Sequence, residues 1–188
     1  LAPSAVPPAL KIAYELIVAG IAMRRLRTGA ARVALSRAER AARQAGIPAL
    51  GAEVDNALAV LNTPAARLVA KGSERPLLLD EVEALVASKV FIVDGCRYVV
   101  RHGERVISLA KRPVLLTLAR ALAEAWPADV SRDQLVERTF RLKLADESHR
   151  ARLRVEIGRL RKLLKNVADV EATPRGFALK PRRAREVA

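Results

Sequence analysis

The densest group of charged side chains in the chain lies between residues 147 and 165, at helical spacing. Aliphatic residues recur there every three or four positions: Leu153, Ile157, Leu160 and Leu164. From residue 150 onward the other positions hold seven cations against the single acid Glu156: Arg150, Arg152, Arg154, Arg159, Arg161, Lys162 and Lys165. This spacing predicts a helix with one apolar stripe and a cationic back. Such a helix fits between two rows of phosphates, which indicates duplex DNA as the partner.

The distribution of charge supports the same interpretation. The chain carries 34 Lys and Arg against 20 Asp and Glu, a net charge of +14. Residues 1–75 hold 11 basic and 5 acidic side chains (+6), residues 76–149 hold 11 and 11 (zero), and residues 150–188 hold 12 and 4 (+8). A polyanionic partner favours cations concentrated at one end of a neutral body. The alternative is a basic helix face that only contacts solvent.

Composition limits the class of protein. With 188 residues, 51% of them hydrophobic, the chain can fold as one domain or two small ones and is not a disordered basic tail. Its one cysteine, Cys96, excludes a disulfide framework, and with only His102 and His149 it predicts no zinc site. We expect a packed thiol in a reduced, cytoplasmic protein. No apolar run approaches the ~20 residues of a membrane span. The sequence opens with Leu1 rather than an initiator Met, which is compatible with a fragment of a longer protein.

Aromatic residues make up only 3% of the chain. Single-stranded nucleic acids and RNA loops are usually held by stacking on aromatic rings. The scarcity of such rings favours double-stranded DNA and leaves shape-based binding of structured RNA as an alternative.

The N-terminal part reads as helices over 9–27, 30–45 and 50–61, with small alanines that allow close helix packing. Residues 38–57 are similar to tetratricopeptide-type helix pairs, although one partial unit favours a small bundle instead. We therefore predict a helical dimerisation or regulatory domain over 1–75. The seven arginines between Arg24 and Arg43 are interpreted as a solvent-exposed helix face, with a second DNA surface as the alternative.

The rest of the chain predicts an α+β domain. A boundary at Gly72–Pro76 precedes a connecting helix within 76–89, followed by strands over 90–93, 97–100 and 106–109. Helices follow from Pro113 and from a capping box at Ser131 and Gln134, then the 147–165 helix and a hairpin over 170–179. Strands, three helices and a hairpin in this order predict a winged helix domain over 90–181. A basic tail over 182–188 remains, and its Arg182, Arg183 and Arg185 either touch phosphates loosely or lie in solvent.

Three motifs carry a family resemblance. They are V-S-R-D-Q-L from residue 130, I-G-R-L-R-K-L-L from residue 157 and T-P-R-G-F-A-L from residue 173. In this order and spacing, the stretch from Val90 to Lys180 resembles the effector domain of OmpR/PhoB-type transcription regulators and covers about half of the chain. The resemblance implies a sequence-specific regulator that places its third helix in the major groove and its wing on the adjacent minor groove or backbone.

The resemblance also implies roles for individual residues. Val155, which points away from the aliphatic stripe, matches a position that touches base edges, and Arg154 and Arg159 are further base candidates. The phosphate candidates are Arg150, Arg152, Arg161 and Lys162, and an internal salt bridge is the alternative for Arg161. Thr173 and Arg175 belong to the wing. The Phe140–Asp146 loop matches a segment that contacts RNA polymerase in the family.

Other classes of function fit the sequence less well. We predict no enzyme and no cofactor, because there is no nucleophile motif, phosphate loop, carboxylate pair or metal spacing. The N-terminal part has no alternating βα units, so a phosphoacceptor domain is not predicted. A protein-interaction module that uses the winged helix as a scaffold remains an alternative. A homodimer on repeated half-sites is the expected assembly.

Overall fold

The computed structural model describes residues 6–141, 146–182 and 186–188. The fold is α+β, with seven helices and eight short strands among these residues. It divides into two compact units, one formed by Leu1–Arg67 with Pro76–Leu85 and the other by Leu68–Arg75 with Val86–Ala188. These units differ from the domains predicted over 1–75 and 90–181. Most of the connecting helix belongs to the first unit, and Leu68–Arg75 belong to the second.

The first unit is helical. It contains α1 (Pro8–Arg24), α2 (Thr28–Ala45), α3 (Pro48–Leu61) and most of α4 (Leu79–Ala87). The helices form where apolar periodicity predicts them: α3 starts with Pro48 in its first turn, and α2 ends at Gly46 with a φ of 62°. Buried alanines along α2 let α1 pack closely against it, and the cores of this unit centre on Ile12 and Leu35.

One expectation for this unit was wrong. Thr28, which the predicted bounds leave between the first two helices, is the first residue of α2, since the Glu83 carboxylate of α4 accepts hydrogen bonds from the Thr28 backbone N–H at 2.8 Å and from its hydroxyl. These bonds, the hydroxyl bond first, lower the pKa of Glu83. The capping carboxylate comes from 55 residues away, so local sequence does not indicate it.

The segment predicted as a boundary is a β-hairpin. Strand β1 (Ala66–Ala70) pairs with β2 (Ser73–Leu77). The two turn residues, Lys71 and Gly72, have φ values of 51° and 75°, the left-handed conformation that two-residue hairpin turns require.

The second unit begins with an antiparallel meander. It consists of β3 (Phe91–Asp94), β4 (Val99–His102) and β5 (Arg105–Ser108). The register pairs Phe91 with His102 and Val99 with Ser108, within two residues of the predicted strands. The turn before β4 exposes Cys96, whose backbone N–H donates to Asp94 Oδ1, so the expectation of a packed thiol was wrong.

Three helices and a second sheet follow. They are α5 (Pro113–Ala125), β6 (Val130–Ser131), α6 (Arg132–Phe140), α7 (Glu147–Leu164), β7 (Ala168–Ala172) and β8 (Gly176–Pro181), with strand order β6-β8-β7. The predicted capping box is confirmed, because the Ser131 hydroxyl accepts from Gln134 N–H and the Gln134 side chain accepts from Ser131 N–H. One apolar core joins the meander, the three helices and the second sheet, and its most buried residues include Leu118, Leu135 and Leu160.

The tail does not simply lie in solvent. Arg182 forms an ion pair with Asp169 at 2.9 Å, which lowers the pKa of that carboxyl. Residues 186–188 run along β3, where Phe91 N–H donates to Glu186 O and Ala188 N–H donates to Phe91 O. Val187 is buried in this parallel bridge. Arg183 and Arg185 lie outside the described residues. No helix in the described part of the chain has the length and apolar content needed to cross a bilayer.

Candidate functional site

Helix α7 has the two faces that its sequence predicts. The four aliphatic residues of the stripe are no more than 1% exposed: Leu153, Ile157, Leu160 and Leu164. They pack in the core with α5 and α6. On the opposite face Val155 is 54% exposed. Burial of one side therefore fixes which side chains of α7 face solvent.

The start of α7 is held by a charged cap. The Asp146 carboxylate accepts a hydrogen bond from His149 N–H at 2.8 Å and lies 2.6 Å from His149 Nδ1. The backbone hydrogen bond is the main cause that lowers the pKa of Asp146, against a smaller opposing effect of burial. A carboxylate at this end also meets the positive end of the helix dipole. The first turn of α7 is thus capped by a residue just before the helix.

The residues predicted to read bases are exposed on α7. Arg154 is ion-paired with Glu147, and Arg159 Nη1 lies 2.7 Å from Glu156 Oε1. Val155 lies between these two arginines in sequence and offers the apolar surface already described. All three are accessible, and two of them hold their guanidinium groups in ion pairs within the helix.

The four predicted phosphate candidates occupy four different environments. Arg150 is ion-paired with Asp133 of α6 at 3.1 Å, and the Arg152 guanidinium lies 4.6 Å from the centre of the Phe140 ring. Lys162 is exposed and makes no ion pair with any residue in the described ranges. Arg161 Nε donates to the Val170 carbonyl oxygen at 2.6 Å. Instead of the internal salt bridge predicted as the alternative, Arg161 therefore makes a hydrogen bond to the backbone of β7.

The turn of the β7–β8 hairpin is tied to the loop before β6. Thr173 Oγ1 donates to Asp129 Oδ2 at 2.6 Å and accepts from Gly176 N–H at 2.8 Å. The Arg175 side chain is 70% exposed, with its Nε 3.9 Å from Asp129 Oδ1. A Cβ atom added at Gly176 would lie 1.8 Å from the Val130 carbonyl oxygen, so only glycine fits. Thr173 therefore shapes the turn, and Arg175 extends from it.

Arg132 holds the same turn and was not identified from sequence. Its Nη1 donates to Pro174 O at 2.8 Å, and its Nη2 donates to Thr173 O at 3.0 Å. The Phe177 ring centre lies 5.6 Å from the Arg132 guanidinium and 5.8 Å from that of Arg161. These are cation–π distances. One buried ring thus links α6 and α7 to the hairpin. The only sequence signal is that Arg132 falls inside the V-S-R-D-Q-L motif.

A cationic cleft beside the start of α5 was also not identified. Its volume is about 490 Å³. Its charged lining consists of Lys111, Arg112, Arg159 and Glu156. Arg159 thus lies on the same cleft as two cations from the loop before α5. The pair Lys111-Arg112, directly before a proline that starts a helix, was a signal for this site, because anions bind at helix N-termini.

The exposed cations of the second unit have the chemistry to hold a polyanion. Guanidinium and ammonium groups are exposed on α7, in the cleft beside α5 and in the turn of the β7–β8 hairpin. Among the described residues, no three His, Cys, Asp or Glu side chains come together as a metal site requires. Of the Phe140–Asp146 loop, residues 142–145 lie outside the described part of the chain, and Phe140 is half-buried.

Neither the known protein families, nor the curated proteins, nor the solved structures with which the chain was compared give a match. The function of this chain must therefore be inferred from its own residues and their geometry.

Proposed function

We propose that the second unit is a winged helix domain of the OmpR/PhoB type and that the protein is a sequence-specific transcription regulator binding double-stranded DNA. In this proposal α7 lies in the major groove and the β7–β8 hairpin is the wing. The wing contacts the adjacent minor groove or the backbone through Arg175. This partner is consistent with the cytoplasmic location predicted from sequence.

One observation carries the proposal. Helix α7 is anchored by a fully buried aliphatic stripe while its other face presents Val155 among exposed cations, next to a hairpin whose turn exposes Arg175. A helix diameter of about 10–12 Å, side chains included, matches the ~12 Å width of the major groove. An apolar side chain exposed among cations gains no favourable contact from water, whereas in the major groove it can contact the methyl group of thymine.

Two of the ion pairs made by α7 arginines do not oppose this role, because both partners are exposed. In the Arg154–Glu147 pair the two side chains are 65% and 75% exposed, and in the Arg150–Asp133 pair they are 43% and 66% exposed. Exposed pairs of this kind contribute at most about 1 kcal/mol each. A phosphate can therefore replace the carboxylate at small cost, and the pairs preorganise the guanidinium groups in the unbound protein.

We assign Arg154, Val155 and Arg159 to base edges and Arg150, Arg152 and Lys162 to phosphates. Lys111 and Arg112 join the phosphate group, because their cleft lies beside Arg159. Arg161 is proposed as a positioning residue, since its hydrogen bond to β7 and its contact with Phe177 connect α7 to the wing. The contact of the Phe140–Asp146 loop with RNA polymerase and the homodimer remain predictions.

The deciding experiment is the salt dependence of duplex binding. For about six phosphate contacts, affinity should fall roughly 10³-fold between 50 and 200 mM salt. Lys162→Gln, in a residue without an ion pair among the described side chains, should make the log–log slope about 0.9 less steep. A matched Lys89→Gln variant, outside the proposed surface, should leave the slope unchanged. Salt-independent binding, or no binding to any duplex at 50 mM salt, would exclude the proposal.

The same assay separates the alternatives. Competition by duplex RNA as effective as that by duplex DNA would indicate a structured-RNA binder, because A-form RNA closes its major groove to side chains. A protein-interaction module predicts no duplex binding at any salt concentration. The ion pairs that Arg150, Arg154 and Arg159 make with carboxylates of the protein itself are the observation that favours this second alternative.

A further inference from the structure

Helix α1 is apolar on two opposite sides, and only one of them is covered. Ile12, Ala19 and Ala22 lie in the cores of the first unit. On the other side are four large exposed residues: Leu10 (61%), Tyr14 (64%), Ile17 (63%) and Ile21 (43%). A helix that is hydrophobic all round normally lies inside a protein or an assembly. The exposed side therefore indicates a missing partner.

The four residues, here called the α1 seam, follow one line along the helix. Their spacing is four, three and four residues, the repeat of a coiled-coil interface. At about 100° per residue they fall within roughly 60° of arc, opposite the buried side. The seam is therefore a straight ridge, narrow enough to pack against one other helix.

The seam is symmetric about its own midpoint. A twofold axis between Glu15 and Leu16 pairs Leu10 of one copy with Ile21 of the other, and Tyr14 with Ile17. Every large side chain then meets another apolar one, as an interface between identical surfaces requires.

The charges around the seam favour this antiparallel arrangement. In the antiparallel pair, the exposed Arg24 and Arg25 at the C-terminal end of α1 lie opposite Pro7 and Val6 of the second copy. In a parallel pair they would lie opposite the same two arginines of the second copy, and the like charges would repel. Lys11 falls opposite Gly20, which carries no side chain. Glu15 beside the midpoint is directed toward α2, where its Oε1 lies 3.8 Å from Arg37 Nη1.

We propose that the α1 seam is a self-association surface on which α1 of a second copy packs antiparallel. The four side chains expose roughly 400 Å² of mainly apolar area, within the ~300–600 Å² of the largest patches on monomers. This is about half of the ~800 Å² that each partner contributes to a standard interface. The flanking Ala13 and Val18 enlarge the interface, and the dimer should have a dissociation constant of order micromolar.

Sedimentation equilibrium of the full chain tests this inference. Above about 50 μM the mass should reach twice the 20.5 kDa of one chain. Ile17→Glu should raise the dissociation constant at least 100-fold, since it places a charge in the interface. Val60→Glu, at an exposed valine (53%) on α3 and outside the seam, should leave the dissociation constant unchanged. A wild-type monomer at 500 μM, or a dimer that survives Ile17→Glu, would overturn the proposal.

Disulfide trapping tests the orientation. With Cys96 replaced by serine, a mixture of Tyr14→Cys and Ile17→Cys chains should cross-link mainly as 14-to-17 pairs between copies. Predominant 14-to-14 cross-links would instead show a parallel dimer and overturn the antiparallel arrangement. The inference is separate from DNA binding: Ile17→Glu should melt like the wild-type monomer and bind a single duplex site with unchanged affinity.

Discussion

The cations of α7 differ in how much of their hydrogen-bonding capacity the fold already uses. Arg161 donates its Nε–H to the Val170 carbonyl oxygen, and its guanidinium lies 5.8 Å from the centre of the Phe177 ring, whereas the neighbouring Lys162 is exposed to solvent. Neighbouring residues of the same charge can therefore have different functions. The fold, rather than residue type, separates a cation that is bonded to the β7–β8 hairpin from one that is exposed without an ion pair among the described residues.

Arg159→Ala is expected to change base preference, because this arginine is proposed to contact a base edge, and arginine most often binds the O6 and N7 edge of guanine. Lys162→Ala should weaken binding to all sequences alike. Selection of bound sequences from random duplexes with each variant measures both effects. Equal, sequence-independent losses from the two changes would contradict the division of roles and would group Arg159 with Lys111 and Arg112 in the phosphate cleft.

Gly176→Ala is expected to destabilise the second unit by about 2–4 kcal/mol, because its Cβ would overlap the backbone of β6. The measurement is the free energy of unfolding by chemical denaturation. Gly158→Ala is the matched control: no atom lies within 4 Å of the added Cβ in the middle of α7, so the change should stabilise by about 0.5–1 kcal/mol. Similar effects of the two substitutions would refute the close approach at Gly176.

At the scale of elements, the hairpin is held by side chains from outside it. Arg132 binds two carbonyl oxygens of the turn, and Asp129 binds Thr173. The strands of the hairpin pack in the common core of the second unit, and its turn is held by α6 and by the loop before β6.

Arg132→Ala should lower the free energy of opening the turn by about 1–2 kcal/mol, since two hydrogen bonds from a charged donor are lost. Exchange of the Gly176 amide hydrogen should become about 5–30-fold faster. Duplex affinity should fall without a change in base preference. Arg138→Ala, on the same helix but paired with Glu124, is the control and should leave Gly176 exchange unchanged.

The start of α7 should respond to acid through Asp146. Its pKa is lowered in the folded protein, so its contribution to stability is present above the ordinary value of 3.8 and is lost as the pH falls through the lower folded value. Asp146→Asn retains a capping side chain but does not titrate. The variant should lose this part of the acid dependence in pH-resolved unfolding experiments. If the free energy of unfolding of the variant fell with pH as steeply as that of the wild type, other carboxylates would determine the acid dependence.

At the scale of the whole molecule, the two units carry different surfaces. The first exposes the uncharged α1 seam, and the second carries the +8 charge of residues 150–188. If both proposals hold, one chain joins a self-association surface to a DNA-binding surface.

On a duplex with two half-sites separated by about 10.5 base pairs, two copies should therefore bind cooperatively. An insertion of about five base pairs turns one site to the opposite face of the duplex and should abolish the cooperativity. Band-shift titrations measure this effect, and Ile17→Glu should bind both duplexes without cooperativity. Cooperativity that is insensitive to spacing would argue against contact between the bound copies.

Local periodicity was sufficient for most of the helices and the meander. The stripe from Leu153 to Leu164 predicts both the existence of α7 and its buried face, because residues three or four apart share a side whatever the rest of the chain does. The Ser131–Gln134 box marks the start of α6 for the same reason: its donors and acceptors lie three residues apart.

The features that local sequence did not predict are those that depend on residues far apart in the chain. Strand β6 exists because Val130 pairs with Phe177, and residues 186–188 order because Phe91 provides a strand edge. The roles of Arg132, Asp129 and Glu83 likewise come from contacts 41 to 55 residues distant. Sequence alone determined which faces are apolar and where the cations are concentrated. Only the tertiary structure decided which cations are engaged and which apolar face stays uncovered, because these depend on long-range packing that no local repeat encodes.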